Sequence, residues 1–426
     1  MVALLLGLMF GFLFLGFPLM FAMIIAPLVV LIREFPLIQP MLITQQTIAG
    51  VSPYTLLAVP MFIFAADIMS TGETADRLLN MVDKFVGHMS GGLAITTGAT
   101  CTLFGAISGS TQATLVAVGK TMHKKMSEAG YDISHTLALL MSSANIALLI
   151  PPSITMIMYA VVTGTSVGEL FIAGIGPGII VFLLFAAFDY IYAKVKKIPT
   201  TEKATWGERF DSMKEAIWPL GFPVIVLGGF YTGVFSPTEA AAVSVLYAAL
   251  IELFIFKSVK FKELPEIALS TGVVTATVFI LVAGGQAFSW VITFAQIPQM
   301  LTSGVLGADP SATFVLFAIS IFFFVSCMFV DSIPVILILT PIFYPVAMKA
   351  GVDPIHLGLI ATMQAGIGAI TPPFGCNIFT ASAVFDEDFI TVVKGVWPYM
   401  LLFVSASILM VLFPSLALFF RDLVYF

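Results

Sequence analysis

The chain has 426 residues, 59% hydrophobic and 10% charged, with a formal net charge of −6, whereas a soluble domain carries roughly 25% charged residues. This is the composition of a membrane protein, and it leaves no room for a folded soluble domain, because the longest polar stretch, 194–215, is only as long as an interhelical loop. The negative balance provides no basic face for nucleic acid, and Cys101, Cys327 and Cys376 lie in apolar segments without the spacing of a disulfide framework or a metal site.

In chain order, residues 3–31 form a first apolar run with no basic leader and no cleavage site, so they are read as a transmembrane helix rather than a signal peptide. Further spans are predicted at 52–70, 134–163, 169–193, 216–235, 238–256, 266–291, 354–385 and 393–420, each long enough to cross about 30 Å of hydrocarbon. Asp67 falls near the cytoplasmic end of its span, where a solvated carboxylate costs little. Glu73 to Met89 is amphipathic, with Leu78, Leu79, Val82, Phe85 and Val86 on one side, and reads as an arm along the cytoplasmic interface. Ser236-Pro237-Thr238-Glu239 has the spacing of a capping box opening the next helix. Two stretches differ from ordinary spans. Residues 93–126 and 311–347 are interrupted at their centres by Ser108-Gly109-Ser110-Thr111 and by Phe329-Val330-Asp331-Ser332-Ile333-Pro334, which predicts two re-entrant hairpins with tips inside the membrane.

Sliding the sequence on itself by 221 positions reveals a repeat. Ala129, Gly130, Asp132, His135, Ala144, Ile146, Pro151 and Pro152 match Ala350, Gly351, Asp353, His356, Ala365, Ile367, Pro372 and Pro373. The same shift lays Ser110 on Asp331 and Thr111 on Ser332. The chain thus divides into halves, 1–215 and 216–426, each with a hairpin (93–126, 311–347) followed by a broken helix (134–163, 354–385). With the N-terminus inside, every Lys and Arg except Arg33, Lys349 and Arg421 falls on the cytoplasmic side, so the halves are inverted in topology. The fold class is therefore an all-α polytopic membrane protein with an inverted structural repeat, the architecture of secondary transporters. Repeat-equivalence of His135 and His356 favours a structural role for them over proton relay.

A helix interrupted in hydrocarbon leaves backbone groups unsatisfied at several kcal/mol each, unless protein, ions or cavity water satisfy them. Pro151-Pro152 and Pro372-Pro373 remove donors and free carbonyls such as those of Ala147, Ile150, Gly368 and Thr371. Freed carbonyls and hydroxyls are hard oxygen ligands suited to sodium, while half-helix N-termini at the hairpin tips suit an anion. One sodium site per repeat is expected: Ser108, Ser110, Asn145, Ala147, Ile150 and Pro152 in the first, and Asp331, Ser332, Gly366, Gly368, Thr371 and Pro373 in the second. A small organic anion is expected between the tips, against Ser108, Gly109, Ser110, Thr111, Asp331, Ser332 and Pro334. Asp331 is the only carboxylate in its hairpin's central stretch, and an ionisable group at that depth points to function; a capping role at the following half-helix is the alternative and can coexist with it. Each double proline could instead simply kink a packed helix, but the duplication weighs against that.

Ser108-Gly109-Ser110, Pro237-Thr238-Glu239-Ala240-Ala241-Ala242 and Ile370-Thr371-Pro372-Pro373-Phe374-Gly375 resemble signatures of the large membrane subunit of tripartite ATP-independent periplasmic (TRAP) transporters. The resemblance covers essentially the whole chain. It implies a multi-pass permease of the bacterial inner membrane importing a carboxylate, such as a C4-dicarboxylate or sialic acid, by sodium symport and an elevator motion. It implies two partners, a small four-helix membrane subunit and a periplasmic substrate-binding protein. Where many relatives carry Gly-Pro-Ala after the first tip, this chain reads Thr111-Gln112-Ala113-Thr114. Competing readings are a stand-alone sodium/dicarboxylate or citrate symporter, a channel, and an intramembrane enzyme; the last lacks a His-Glu-x-x-His motif, a Ser-His pairing or an acidic dyad.

Overall fold

The computed structural model describes residues 1–301 and 310–425, which are helical with no strand among them. The first predicted span is two helices, α1 (Val2–Phe14) and α2 (Leu19–Glu34), packed on each other. The run breaks because Gly16 takes a left-handed φ of +78° and Pro18 precedes α2 without an amide hydrogen. The stretch between the first two expected spans contains α3 (Met41–Gly50), followed by α4 (Ala58–Thr71) and the arm, α5 (Thr74–Val86). The apolar side of the arm packs on protein. Leu78, Leu79 and Val82 are buried, and α5 lies against its neighbour in sequence and against α11 (Trp206–Tyr231).

The first hairpin is α6 (Gly92–Ser108) and α7 (Thr111–Glu128), and the first broken helix is α8 (Ile133–Ala144) and α9 (Ile154–Thr163), followed by α10 (Val167–Lys196). The boundary expected between 215 and 216 falls inside α11. That helix begins at Trp206 because Thr205 and Glu208 form a reciprocal capping box, a spacing visible in the sequence but passed over. The box expected at Ser236 and Glu239 does open α12 (Pro237–Leu250). After α13 (Leu264–Phe294) and α14 (Ile297–Leu301) come the second hairpin, α15 (Ala312–Cys327) and α16 (Ser332–Lys349), and the second broken helix, α17 (Pro354–Ala369) and α18 (Cys376–Phe385). The predicted last span, 393–420, is α19 (Phe389–Lys394), α20 (Val396–Leu412) and α21 (Pro414–Tyr425). It is bent by 70° where Pro414 cannot continue the ladder.

Two packed groups result. One is α2, α3, α4, α12 and α13, with α1 and α11 alongside; the other is α6 to α9 and α15 to α18, flanked by α10, α20 and α21. They meet where α13 packs on α16 and α4 on α6. Asp67 works inside this packing: it is half-buried and accepts a 2.6 Å hydrogen bond from Thr271, joining α4 to α13, so it is not the solvated carboxylate expected. Glu252, buried in the π turn that ends α12, accepts from Thr74 at 2.6 Å and from Ser258, and so anchors the arm. His135 lies 3.2 Å from Asp189 and stacks on Tyr192, while His356 meets the Met410 carbonyl at 2.9 Å. Both histidines therefore hold helices together.

Candidate functional site

The halves of the broken helices and one arm of each hairpin are helices of 10–17 residues, all but α17 strongly apolar. At 1.5 Å per residue they reach roughly 15–26 Å, too little to cross the bilayer core alone. Their ends must be satisfied within the protein, and the structure brings those ends together.

At the first tip, α6 stops because Gly109 adopts a φ of +59°, and Ser110 caps α7 by accepting from the Ala113 amide at 3.4 Å. The Ser108 and Thr114 hydroxyls meet at 2.8 Å, and Thr114 donates to the Ser110 carbonyl at 2.8 Å. The tip is seated directly on the first break. A Cβ at Gly109 would lie 2.4 Å from the Pro152 carbonyl oxygen, so only glycine fits there. Ser108 is 1% exposed, and every residue from Asn145 to Ser153 is buried.

At the second tip Asp331 occupies the N-cap position of α16, yet its side chain makes no capping bond. Its carboxylate is exposed instead, within 3.7 Å of the Cys376 thiol. The tip sits on its own break, where Gly368 is pressed against Cys327 with a Cβ contact of 2.4 Å excluded. Both double prolines carry a cis bond between their two prolines. Pro151 and Pro152 have no amide hydrogen for the Ala147 and Leu148 carbonyls, nor Pro372 and Pro373 for those of Gly368 and Ala369. Part of this deficit is met locally: Thr371 donates its amide to Gly368 at 3.0 Å and its hydroxyl to Ile367 at 2.6 Å, and its carbonyl accepts from Gly375 at 3.1 Å.

A chain of hydrogen bonds links the two breaks. The Thr111 hydroxyl donates to Asn377 Oδ1 at 3.1 Å, Asn377 Nδ2 donates to Asn145 Oδ1 at 2.7 Å, and Asn145 Nδ2 donates to the Gly366 carbonyl at 2.8 Å. Asn145 and Gly366 are 221 residues apart, so repeat-equivalent positions touch. Each tip also reaches the other repeat: Thr111 and Gln112 meet α18, and Ser332 meets Thr155 of α9 at 3.4 Å. Of the first group of expected residues, Gly109 meets Pro152, Ala147 lies against Gly105 of α6 and Thr111 is linked to Asn145 through Asn377, whereas the Ile150 side chain lies against Gly178 of α10. Of the second group, Asp331 lies beside Cys376 just past the break, Gly368 is pressed on the tip at Cys327, and Thr371 bonds within the break. Gly366 is held by Asn145 and Ser332 meets Thr155, while Pro334 is buried in the first turn of α16. Asn377 was missed. Its signal was an amide in an apolar run four residues past a double proline, but the repeat shift aligns it with Met156 and hid the pairing.

Residues 6–416 match the family described as "Tripartite ATP-independent periplasmic transporter, DctM component". The ectoine TRAP transporter large permease protein TeaC of Halomonas elongata is 53% identical over 426 residues, covering 100% of both chains. The ectoine/5-hydroxyectoine large permease protein UehC of Ruegeria pomeroyi is 52% identical over 97% of both. Among solved structures, the Alcanivorax borkumensis YdaH transporter, described as having an unusual topology, aligns with a TM-score of 0.60 at 14% identity over 88% of this chain and 87% of that one, a likeness of fold. The chain thus belongs to the DctM family of TRAP transporter large permeases, multi-pass proteins of the bacterial inner membrane that are transporters and not enzymes.

Proposed function

We propose that this permease imports ectoine or 5-hydroxyectoine by sodium symport. The group formed by α6 to α9 and α15 to α18 moves as an elevator against the group built on α2 to α4, α12 and α13. The full-length similarity to two permeases named for ectoine supports the substrate. The sequence pointed to a C4-dicarboxylate or sialic-acid-like carboxylate; ectoine keeps the carboxylate and adds a cyclic amidinium, making it a zwitterion. The observation that carries the transport reading is the meeting of two hairpin tips with two helix breaks, joined through Asn377 and Asn145.

The donor sets at both breaks fit sodium, being mainly neutral oxygens with carbonyls short of helical donors. Ser108, Ser110, Asn145, Ala147, Ile150 and Pro152 would hold one ion; Asn145 Oδ1 accepts once from Asn377 and keeps a second lone pair. Asp331, Ser332, Gly366, Gly368, Thr371 and Pro373 would hold another. Bound sodium would supply countercharge for a carboxylate entering low dielectric, which is otherwise expensive. A small membrane subunit and a periplasmic binding protein complete the transporter, as the tripartite family description supports. The test is uptake of labelled ectoine into proteoliposomes holding the membrane complex, with the binding protein outside. Uptake should collapse when external sodium is replaced by choline. Accumulation indifferent to that exchange would remove the coupling, and competition by succinate equal to that by unlabelled ectoine would remove the substrate.

A further inference from the structure

The second tip carries two side chains that its repeat counterpart does not. Phe329 and Phe374 stand where the first repeat has Ser108 and Ser153. Their rings lie 5.6 Å apart across the contact between tip and break, and they are 56% and 52% exposed, whereas the two serines are 1% and 0% exposed. Two residues further along each strand of the same contact, Asp331 faces Cys376 at 3.7 Å. A carboxylate and an aromatic pair therefore share one open edge. Asp331 joins no salt bridge among the described residues. A carboxylate turned to lipid would cost about 2.5–3.5 kcal/mol even on the lower scales, which favours a polar ligand or water over hydrocarbon beside this edge.

The geometry points to Phe329, Phe374 and Asp331 as specificity-determining contacts for the planar cationic end of a small zwitterion. This assignment rests on the ectoine reading and deepens it. A delocalised planar cation is weakly hydrated and stacks on aromatic faces, while a carboxylate beside the rings supplies the opposite charge. The other end of the ligand has a complementary site. Gln112, beside the N-terminus of the 18-residue α7, donates to the same Cys376 sulfur at 3.6 Å, so the first tip and Asp331 flank one side chain. The N-terminal amides and dipole of α7 suit a carboxylate. The two sides of Cys376 are thus polarised, positive at the first tip and negative and aromatic at the second.

The experiment measures ligand binding to the purified membrane complex in sodium buffer, without the binding protein, by titration calorimetry. Its ligands are ectoine and cyclohexanecarboxylate, a ring carboxylate with no cation. Phe329→Leu and Phe374→Leu keep apolar bulk and remove the π face; each should weaken ectoine binding about three- to tenfold. Phe329→Tyr should bind as the parent does, and thermal stabilisation by sodium should be unchanged in these ring variants. Asp331→Asn should weaken ectoine binding by about tenfold or more and reduce the preference over cyclohexanecarboxylate. Wild-type complex that binds ectoine while both leucine variants bind it equally well would overturn the assignment and leave the substrate reading standing. Wild-type complex that binds cyclohexanecarboxylate as tightly as ectoine would overturn it too. Wild-type complex that binds no ectoine would overturn the substrate reading and this inference together.

Discussion

The first and second hairpin tips are built on the same backbone plan and finished in opposite ways. At the first, Ser110 caps its helix, Ser108 is enclosed, and Thr111 is bonded through Asn377 to Asn145. At the second, the equivalent of Ser110 is Asp331, which leaves its helix uncapped and turns its carboxylate outward beside two exposed rings. The difference teaches that a repeat can conserve a break and still divide the labour. The closed side fixes how the two broken helices sit against each other, and the open side keeps side chains available for a ligand.

That division can be broken experimentally, most severely at the closed side. Asn377→Leu cuts the link from the first tip to Asn145 and leaves the buried Asn145 Oδ1 without its donor and the Thr111 hydroxyl without this acceptor, at a cost of about 2–4 kcal/mol. The melting temperature in detergent should fall and ectoine uptake should reach background; a variant as stable as the parent would show that the link contributes nothing. Gly109→Ala should cost about 1–3 kcal/mol, since it places a side chain at a left-handed φ and against the Pro152 carbonyl. Retained uptake in that variant would mean the tip is not seated on the break in the working protein.

Smaller effects sharpen the contrast between caps. Ser110→Ala should lower stability by about 1 kcal/mol through loss of the cap. Asp331→Asn should leave the melting temperature in sodium-free buffer where it is while depressing uptake, because Asp331 makes no capping bond. Equal destabilisation by both substitutions would erase the distinction. Least affected should be Thr155→Val, which removes one 3.4 Å contact between the second tip and α9, worth about 0.5 kcal/mol. A stability loss as large as that of Asn377→Leu would make the open side as locked as the closed one.

Much of this was legible in the sequence, for reasons particular to the residues. Pro151-Pro152 and Pro372-Pro373 each remove two adjacent donors, and Gly109 sits between two serines in an apolar run, so the breaks and the first tip could be located without coordinates, although single prolines such as Pro177 and Pro223 stay inside helices. The fold-back at Gly16 and Pro18 used the same residue types, yet the unbroken apolarity of 3–31 masked it. Helix starts at Thr205 and Ser236 had the same capping spacing, and only the one next to an obvious span was read. Phe329 and Phe374 looked like ordinary apolar residues in an apolar chain, because nothing local distinguishes a ring in lipid from a ring paired across a tip and its break.

The sequence by itself determined where helices stop, that the stops recur at a fixed shift, and that the chain lives in a membrane. These depend on local backbone chemistry and on solvent preference, which each short segment carries within itself. Tertiary structure alone decided which tip is closed and which open, that Asn377 reaches Asn145 across 232 positions of chain, and that Asp331 is left free of its cap. Those outcomes depend on which helices pack side by side, and contact between residues so far apart in sequence leaves no local periodicity to read.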